Sequence, residues 1–220
     1  MNRPTLLFDL DGTLVDTDDL HFSAFRDTLA RYGVDVSLDY YKSRIMGFNN
    51  AIIMQGLMPD HDEDTHARIA DEKEAHFRSI ATDMRPLDGV LPLLDWLEAR
   101  GLSKGVVTNA TRENATLQLG AIGLAERFDT VVIGYELERA KPDPLPYLTG
   151  LERLGGHAGR SIAFEDSLSG LAAARGAGLP VVGIATSLPA ERLLAEGAAL
   201  AIRDYHDPRL IPFIEAVVAG

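Results

Sequence analysis

The sequence predicts an α/β fold, a parallel sheet with helices on both faces and a separate helical block inserted into it. Three observations lead there. Short apolar, β-branched runs recur along the chain. Helix-like segments alternate with the later runs. One long interval, from Thr17 to about Thr82, contains no convincing strand. Alternation of strands and helices implies a parallel sheet, whose strands read as continuous apolar runs because helices cover both faces.

The expected strands are Thr5–Phe8, Gly105–Val107, Thr130–Ile133, Ser161–Phe164, Val181–Ile184 and Leu200–Ile202. Each ends on polar or small residues. Helical spacing of apolar residues marks Val90–Glu98, with Gly101 as its stop. Asn114–Ile122 ends at Gly123, Tyr147–Leu154 at Gly155 and Leu168–Ala177 at Gly178, while Pro189–Ala195 opens on a proline. Proline near a helix start and glycine past its end is the expected asymmetry. Within the strandless interval, DDLHFSAFRDTLARYG reads as a helix closed by Gly33. DEDTHARIADEKEAHFRSIA reads as a second, with the acids of Asp62–Asp64 favouring its start. The expected organisation is a core of residues 1–16 and 83–220, with a helical cap of residues 17–82.

Composition bounds the function. The chain has 220 residues, 46% hydrophobic and 25% charged, which suits one large domain or one domain with a smaller insert. The net charge of −12 opposes binding to a nucleic-acid backbone or an anionic membrane, so a phosphate ligand has to be held by local positive features. The absence of cysteine excludes disulfides, thiolate metal sites and cysteine nucleophiles. No run is long enough for a membrane span or a signal peptide, and the expected location is the cytoplasm.

In open α/β sheets, ligands gather at the carboxyl ends of the strands. The first expected strand ends in Asp9 and Asp11, the second in Thr108-Asn109, and the fourth in Glu165-Asp166-Ser167; a later loop carries Lys141-Pro142. Each has a structural alternative. Asp11-Gly12 serves a turn, Glu165-Asp166-Ser167 and Thr108 serve helix caps, and Lys141 serves as a solvated charge. Taken together, those alternatives require every acid to reach the same kind of place by coincidence. The string Asp-x-Asp-Gly-Thr is itself expected by chance in roughly one in a thousand chains of this length. Residues two apart lie on the same side of an extended chain, so Asp9 and Asp11 can face one ligand.

In this order, Asp9-Leu10-Asp11-Gly12-Thr13, Thr108-Asn109, Lys141-Pro142 and Glu165-Asp166-Ser167 with Gly170 resemble the four motifs of the haloacid dehalogenase-like hydrolases. The resemblance covers the whole chain and points to the branch of phosphoglycolate phosphatases and β-phosphoglucomutase. It implies a Rossmann-like core with a helical cap, and hydrolysis of a small phosphorylated metabolite with Mg²⁺. Asp9 stands at the family's nucleophile position, and the expected intermediate is an aspartyl-phosphate. Asp11 is the implied proton carrier, acid in one step and base in the next, which requires it to arrive protonated. The implied metal ligands are the Asp9 and Asp166 carboxylates, the Asp11 carbonyl and Glu165, the last either directly or through water. Lys141 would offset charge between nucleophile and phosphoryl group, and Thr108 and Asn109 would bind phosphate oxygens. Gly12 lets the backbone turn tightly and Thr13 is expected to anchor that turn. Arg112, a positive charge at the start of a helix, reads either as an anion contact or as a solvated side chain.

The resemblance also implies that the cap supplies specificity. His21 and Lys73 stand where family members assist the chemistry or reach the substrate, each with a solvated or helix-surface role as the alternative. Gly47-Phe48-Asn49-Asn50 is similar to a cap specificity loop, but Asn50 replaces an arginine that binds a second phosphate in the mutase, which weakens a phosphomutase reading. A metal-independent dehalogenase is opposed by Asp11 and the Glu165-Asp166 pair. A silent binding module is opposed by the filled reactive positions.

Overall fold

A computed structural model of the chain describes residues 3–46 and 50–219. Six strands form one sheet: β1 (Thr5–Phe8), β2 (Ser103–Thr108), β3 (Thr130–Ile133), β4 (Ile162–Glu165), β5 (Val181–Ile184) and β6 (Leu200–Ile202). All pairings are parallel and the order is β3-β2-β1-β4-β5-β6. The order reverses direction between β1 and β4, which makes their carboxyl ends the switch point where ligands settle in such sheets. Phe8 pairs with Val106 on one side and Phe164 on the other, so the chain segments that follow β1, β2 and β4 leave the sheet at one level.

The strands form where the sequence is apolar enough to be covered on both faces. All four residues of β1, β4 and β5 are buried. Phe8 and Phe164 stack across the β1–β4 pair with ring centroids 4.3 Å apart, fixing the two strands that carry the acids. The core is continued by Leu7, Val107, Val132, Ala163, Leu171 and Val181.

The chain divides into two compact units, residues 1–16 with 85–220, and residues 17–84; the boundary expected at 82–83 falls two residues later. The second unit holds helices α1 (Asp18–Ala30), α2 (Leu38–Tyr40), α3 (Asn50–Leu57) and α4 (Glu63–Ile80), and a short wide turn, Tyr41–Ile45, continues α2 directly. No strand occurs there among the described residues. Asp62 caps α4 by accepting from the Thr65 backbone N–H at 2.8 Å, as its acidic start predicts. Phe25, Leu29, Tyr41, Ile45, Met54 and Ile69 form this unit's own core.

The first unit adds α5 (Val90–Glu98), α6 (Arg112–Ala121), α7 (Leu145–Leu154), α8 (Leu168–Gly176), α9 (Ala190–Ala195) and α10 (Leu210–Ala219). Five of the six fall where apolar spacing with glycine stops or, for α9, a proline start places them, with ends within two residues of the expected ones. The sixth, α10, was not expected: its composition is nearly all apolar, so no 3.6-residue contrast marks it.

Candidate active site

The site lies in the first unit, at the carboxyl ends of β1 and β4. Asp9 follows β1 and its backbone N–H donates to the Phe164 carbonyl at 2.9 Å, extending the ladder by one residue. The chain then turns sharply. Gly12 has φ of +70°, and a Cβ there would run into the Asp166 carboxylate, so both the turn and the approach of Asp166 require glycine. The turn is not anchored by Thr13 as expected. The Thr13 hydroxyl is buried without a partner among the described residues. The anchors come from elsewhere: Thr186 Oγ1 donates to the Gly12 carbonyl at 2.5 Å, and Tyr205 Oη donates to the Thr13 carbonyl at 2.9 Å.

Asp9, Glu165 and Asp166 each present a carboxylate oxygen, all within 4.8 Å of one another. Lys141 enters this group from the loop before α7. Its Nζ donates to Asp9 Oδ1 and to Glu165 Oε1, both at 2.6 Å. Asn109, after β2, holds the lysine's backbone from both sides: its Nδ2 donates to the Lys141 carbonyl at 3.1 Å and its Oδ1 accepts from the Lys141 N–H at 3.2 Å. The Lys141-Pro142 peptide is cis.

Two residues beside the Glu165-Asp166 pair carry no signal in the motifs. Tyr147, fully buried on α7, donates from its hydroxyl to Glu165 Oε1 at 2.5 Å. Ser187 donates to Asp166 Oδ2. The signal for Tyr147 was present but weak: one hydroxyl on an otherwise apolar helix face. Gly170, on the first turn of α8, has a different reason from Gly12. A Cβ there would overlap the Glu165 carboxylate, so α8 can approach β4 only through glycine. Ser167 does cap α8, accepting from the Gly170 N–H at 3.1 Å, so the capping alternative holds for the serine and not for the two acids beside it.

The electrostatics follow from burial. Burial pushes the Asp9 carboxyl up to about 8, against the downward pull of Lys141. For Lys141, burial favours the neutral amine, but Asp9 and Glu165 more than offset it and hold the ammonium above its ordinary range. Burial also pushes the Tyr147 hydroxyl well up, helped by the charge of Glu165, so it remains a donor. Two of the three carboxylates share the Lys141 ammonium and Asp166 lies beside them, an excess of two negative charges when all are ionised. Oxygen-only donors with that excess suit a hard divalent cation, and the cluster fits one.

The remaining expected site residues fall differently. Asp11 is held by Gln118, whose Nε2 donates to Asp11 Oδ1 at 3.0 Å. Thr108 is buried at the end of β2, and its hydroxyl accepts from the Ala110 N–H at 2.9 Å. Arg112, expected either to contact an anion or to be solvated, does neither alone: its exposed guanidinium pairs with both oxygens of Glu136, at 2.6 and 2.5 Å. The mild misfit of an arginine at a helix start is thus offset by a neighbouring acid.

In the second unit, the structure brings three expected residues together. Lys73, nearly fully buried, lies 3.0 Å from His21 Nδ1 and 2.9 Å from Glu74 Oε1. Asn50 donates to the same Glu74 oxygen at 2.6 Å. The His21 ring stacks on Phe77 at 4.1 Å, and Lys73 sits 4.4 Å from the centre of the Phe25 ring. Burial would raise Glu74, but Lys73, His21 and Asn50 more than offset it and hold the carboxylate ionised. Gly47, Phe48 and Asn49, the rest of the expected specificity loop, lie outside the described residues.

Comparison with known proteins places the chain in a family. The sequence profile described as haloacid dehalogenase-like hydrolase matches residues 6–184. A phosphorylated carbohydrates phosphatase of Thermotoga maritima is 32% identical over 203 residues, covering 90% of this chain and 92% of that protein. A phosphoglycolate phosphatase of Agrobacterium fabrum is 31% identical, over 82% of this chain and 80% of its own. Among solved structures, CbbY from Rhodobacter sphaeroides in complex with xylulose-(1,5)-bisphosphate superposes with a TM-score of 0.83 at 25% identity, covering 93% of this chain and 96% of that one.

Proposed function

This chain belongs to the haloacid dehalogenase-like hydrolases, and on that premise we propose that it is a Mg²⁺-dependent phosphatase of a small phosphorylated metabolite, of the sugar phosphate or phosphoglycolate class. The observation that carries the reading is the Asp9–Glu165–Asp166 cluster around Lys141 at the β1/β4 switch point.

Phosphate monoesters hydrolyse very slowly unaided, so the barrier has to be divided and its charge neutralised. Asp9 attacks phosphorus, forming an aspartyl-phosphate as the bond to the leaving oxygen breaks. Asp11 gives its proton to the leaving oxygen, then takes one from the water that hydrolyses the aspartyl-phosphate. Lys141, pinned by Asn109, orients Asp9 and neutralises charge as the phosphoryl group approaches. The Asp9 and Asp166 carboxylates, the Asp11 carbonyl and Glu165 would hold magnesium, with Ser187 orienting Asp166 and Tyr147 orienting Glu165. When bound, the ion would supply positive charge that offsets the repulsion between two anions. Thr108 and Asn109, at the end of β2, are assigned to the phosphate, and the Asn109 side chain also fixes Lys141. The helical unit is assigned to choosing the substrate, with His21, Lys73 and Asn50 as its polar contacts.

The test is phosphate release from a panel of phosphorylated metabolites, with Mg²⁺ or with chelator, beside Asp9→Asn. The expected result is metal-dependent release that Asp9→Asn lowers by at least about a thousandfold. Undiminished release by Asp9→Asn overturns the nucleophile, and interconversion of hexose phosphates without release overturns hydrolysis.

A further inference from the structure

The loop after β5 carries two hydroxyls in a row, Thr186 and Ser187, and each reaches the end of a different strand. Thr186 Oγ1 donates to the Gly12 carbonyl at 2.5 Å, one residue beyond Asp11 in the turn after β1. Ser187 Oγ donates to Asp166 Oδ2, beyond the end of β4. In the sheet, β5 lies beside β4 and β1 lies on the far side of β4, so the loop spans both. Its own base is fixed: the Ala185 N–H donates to the Ile202 carbonyl at 2.8 Å and continues the ladder to β6. The two contacts are close neighbours, since a Cβ on Gly12 would overlap the Asp166 carboxylate and lie 3.1 Å from Ser187 Oγ. That close approach limits how near the turn and Asp166 can come. The two hydroxyls limit how far apart they can move.

We propose that Thr186 is a positioning residue for the metal site, forming with Ser187 a brace that fixes the spacing between the turn carrying Asp11 and the Asp166 carboxylate. The inference rests on the reading that the Asp11 carbonyl and Asp166 hold Mg²⁺. The turn has a second anchor, Tyr205 Oη, which donates to the Thr13 carbonyl at 2.9 Å. A hydroxyl has one proton to give, so Tyr205 ties the turn to the loop after β6 and not to Asp166. Only the loop after β5 donates both to the turn and to Asp166. Mg²⁺ demands a near-regular octahedron of oxygens, while Ca²⁺ accepts wider and less regular sets. A site of braced width therefore favours Mg²⁺, and a loosened one gives up that preference before it gives up binding.

The test is calorimetric titration of the metal-free protein with MgCl₂ and, separately, CaCl₂. The variants are Thr186→Val, which keeps the branched shape and removes the donor, Thr186→Ser, which keeps the donor, and Tyr205→Phe. Thr186→Val is expected to weaken Mg²⁺ binding about 10-fold and Ca²⁺ binding about 3-fold or less. Thr186→Ser is expected to bind both ions within about twofold of the unaltered protein, and Tyr205→Phe to keep the ratio of the two affinities. Equal losses for the two ions in Thr186→Val, or no loss for Mg²⁺, overturn the proposal. So does the same change of preference in Tyr205→Phe, because any loosening of the turn would then suffice. If Thr186→Val does not fold, Ser187→Ala loosens the brace at its other end and is read by the same criteria. Failure of the underlying reading appears in the unaltered protein instead. Mg²⁺ binding without phosphate release from any ester overturns the phosphatase and leaves the brace to be judged on the affinities. Binding of neither ion overturns both.

Discussion

Of the three lysines buried among the described residues, Lys104 pairs with Glu98 at the sheet's other end, and the other two, Lys141 in the sheet unit and Lys73 in the helical unit, have surroundings that differ. Lys141 in the sheet unit sits between two carboxylates at 2.6 Å, with a third, Asp166, beside them. Lys73 in the helical unit has one carboxylate, Glu74, at 2.9 Å and a histidine nitrogen at 3.0 Å. The first cluster has an excess of negative charge that its lysine leaves unmatched; the second is close to balance. A surplus of buried charge is expensive to maintain and is retained where something of opposite sign binds. The balanced cluster is suited to contacts with neutral or anionic groups. The difference separates a centre for a cation and a phosphoryl group from a centre for hydrogen bonding.

The largest effect that sharpens this comparison comes from removing each lysine. Lys141→Met leaves Asp9 and Glu165 buried without their shared cation, and a broken buried pair costs about 3–5 kcal/mol. Lys73→Met leaves Glu74 with Asn50 still donating to it, and the expected cost is smaller, about 1–3 kcal/mol. Urea unfolding of both variants in chelator measures this; equal costs would remove the distinction between the clusters. Adding Mg²⁺ is expected to recover part of the loss in Lys141→Met and none in Lys73→Met.

A second effect is the pH dependence of the metal-free protein. Burial lifts Asp9 from 3.8 to about 8, so the folded chain holds a proton there that the unfolded chain releases. Within that window the folded state binds more protons, and stability from this group falls as pH rises. The urea midpoint in chelator is therefore expected to drop more steeply across that range in the unaltered protein than in Asp9→Asn. A flat profile, or the same slope in both, contradicts the assigned burial effect. Mg²⁺ is expected to oppose the drop at the high end by favouring the ionised carboxylate.

The smallest effect concerns Thr13. Its hydroxyl is buried and unpartnered among the described residues, although it belongs to the motif Asp-x-Asp-Gly-Thr. Thr13→Val is expected to change stability by less than about 1 kcal/mol, neutral or favourable, because no hydrogen bond is lost. A thermal melt showing a larger loss would mean that the hydroxyl anchors the turn after all.

The legible parts of the molecule share a physical cause. The strands and most helices of the sheet unit were readable because burial on both sheet faces leaves continuous apolar runs and glycine marks the helix ends. The placement of Asp9, Asp11, Glu165 and Asp166 at the carboxyl ends of β1 and β4 was readable because charges following an apolar strand have no packing role. Tyr147, Gln118 and Ser187 were not, because each becomes part of the site only through a partner 18 to 107 residues away in sequence. Asn109 was assigned to phosphate from its place after β2, and the added hold of its amide on Lys141, 32 residues on, has no local pattern to reveal it. Arg112 was ambiguous for the same reason, since Glu136 lies 24 residues beyond it and no local pattern joins them. Helix α10 shows the opposite limit, a helix too uniformly apolar for periodicity to reveal.

The central claim is that Asp9 takes the phosphoryl group. Rapid acid quenching during turnover with Mg²⁺, followed by borohydride reduction, converts an aspartyl-phosphate to homoserine, which peptide mass spectrometry locates. The account predicts homoserine at position 9 in the unaltered protein, only when a phosphate ester is present. Steady phosphate release with position 9 unmodified, or with the modification at another carboxylate, would contradict it.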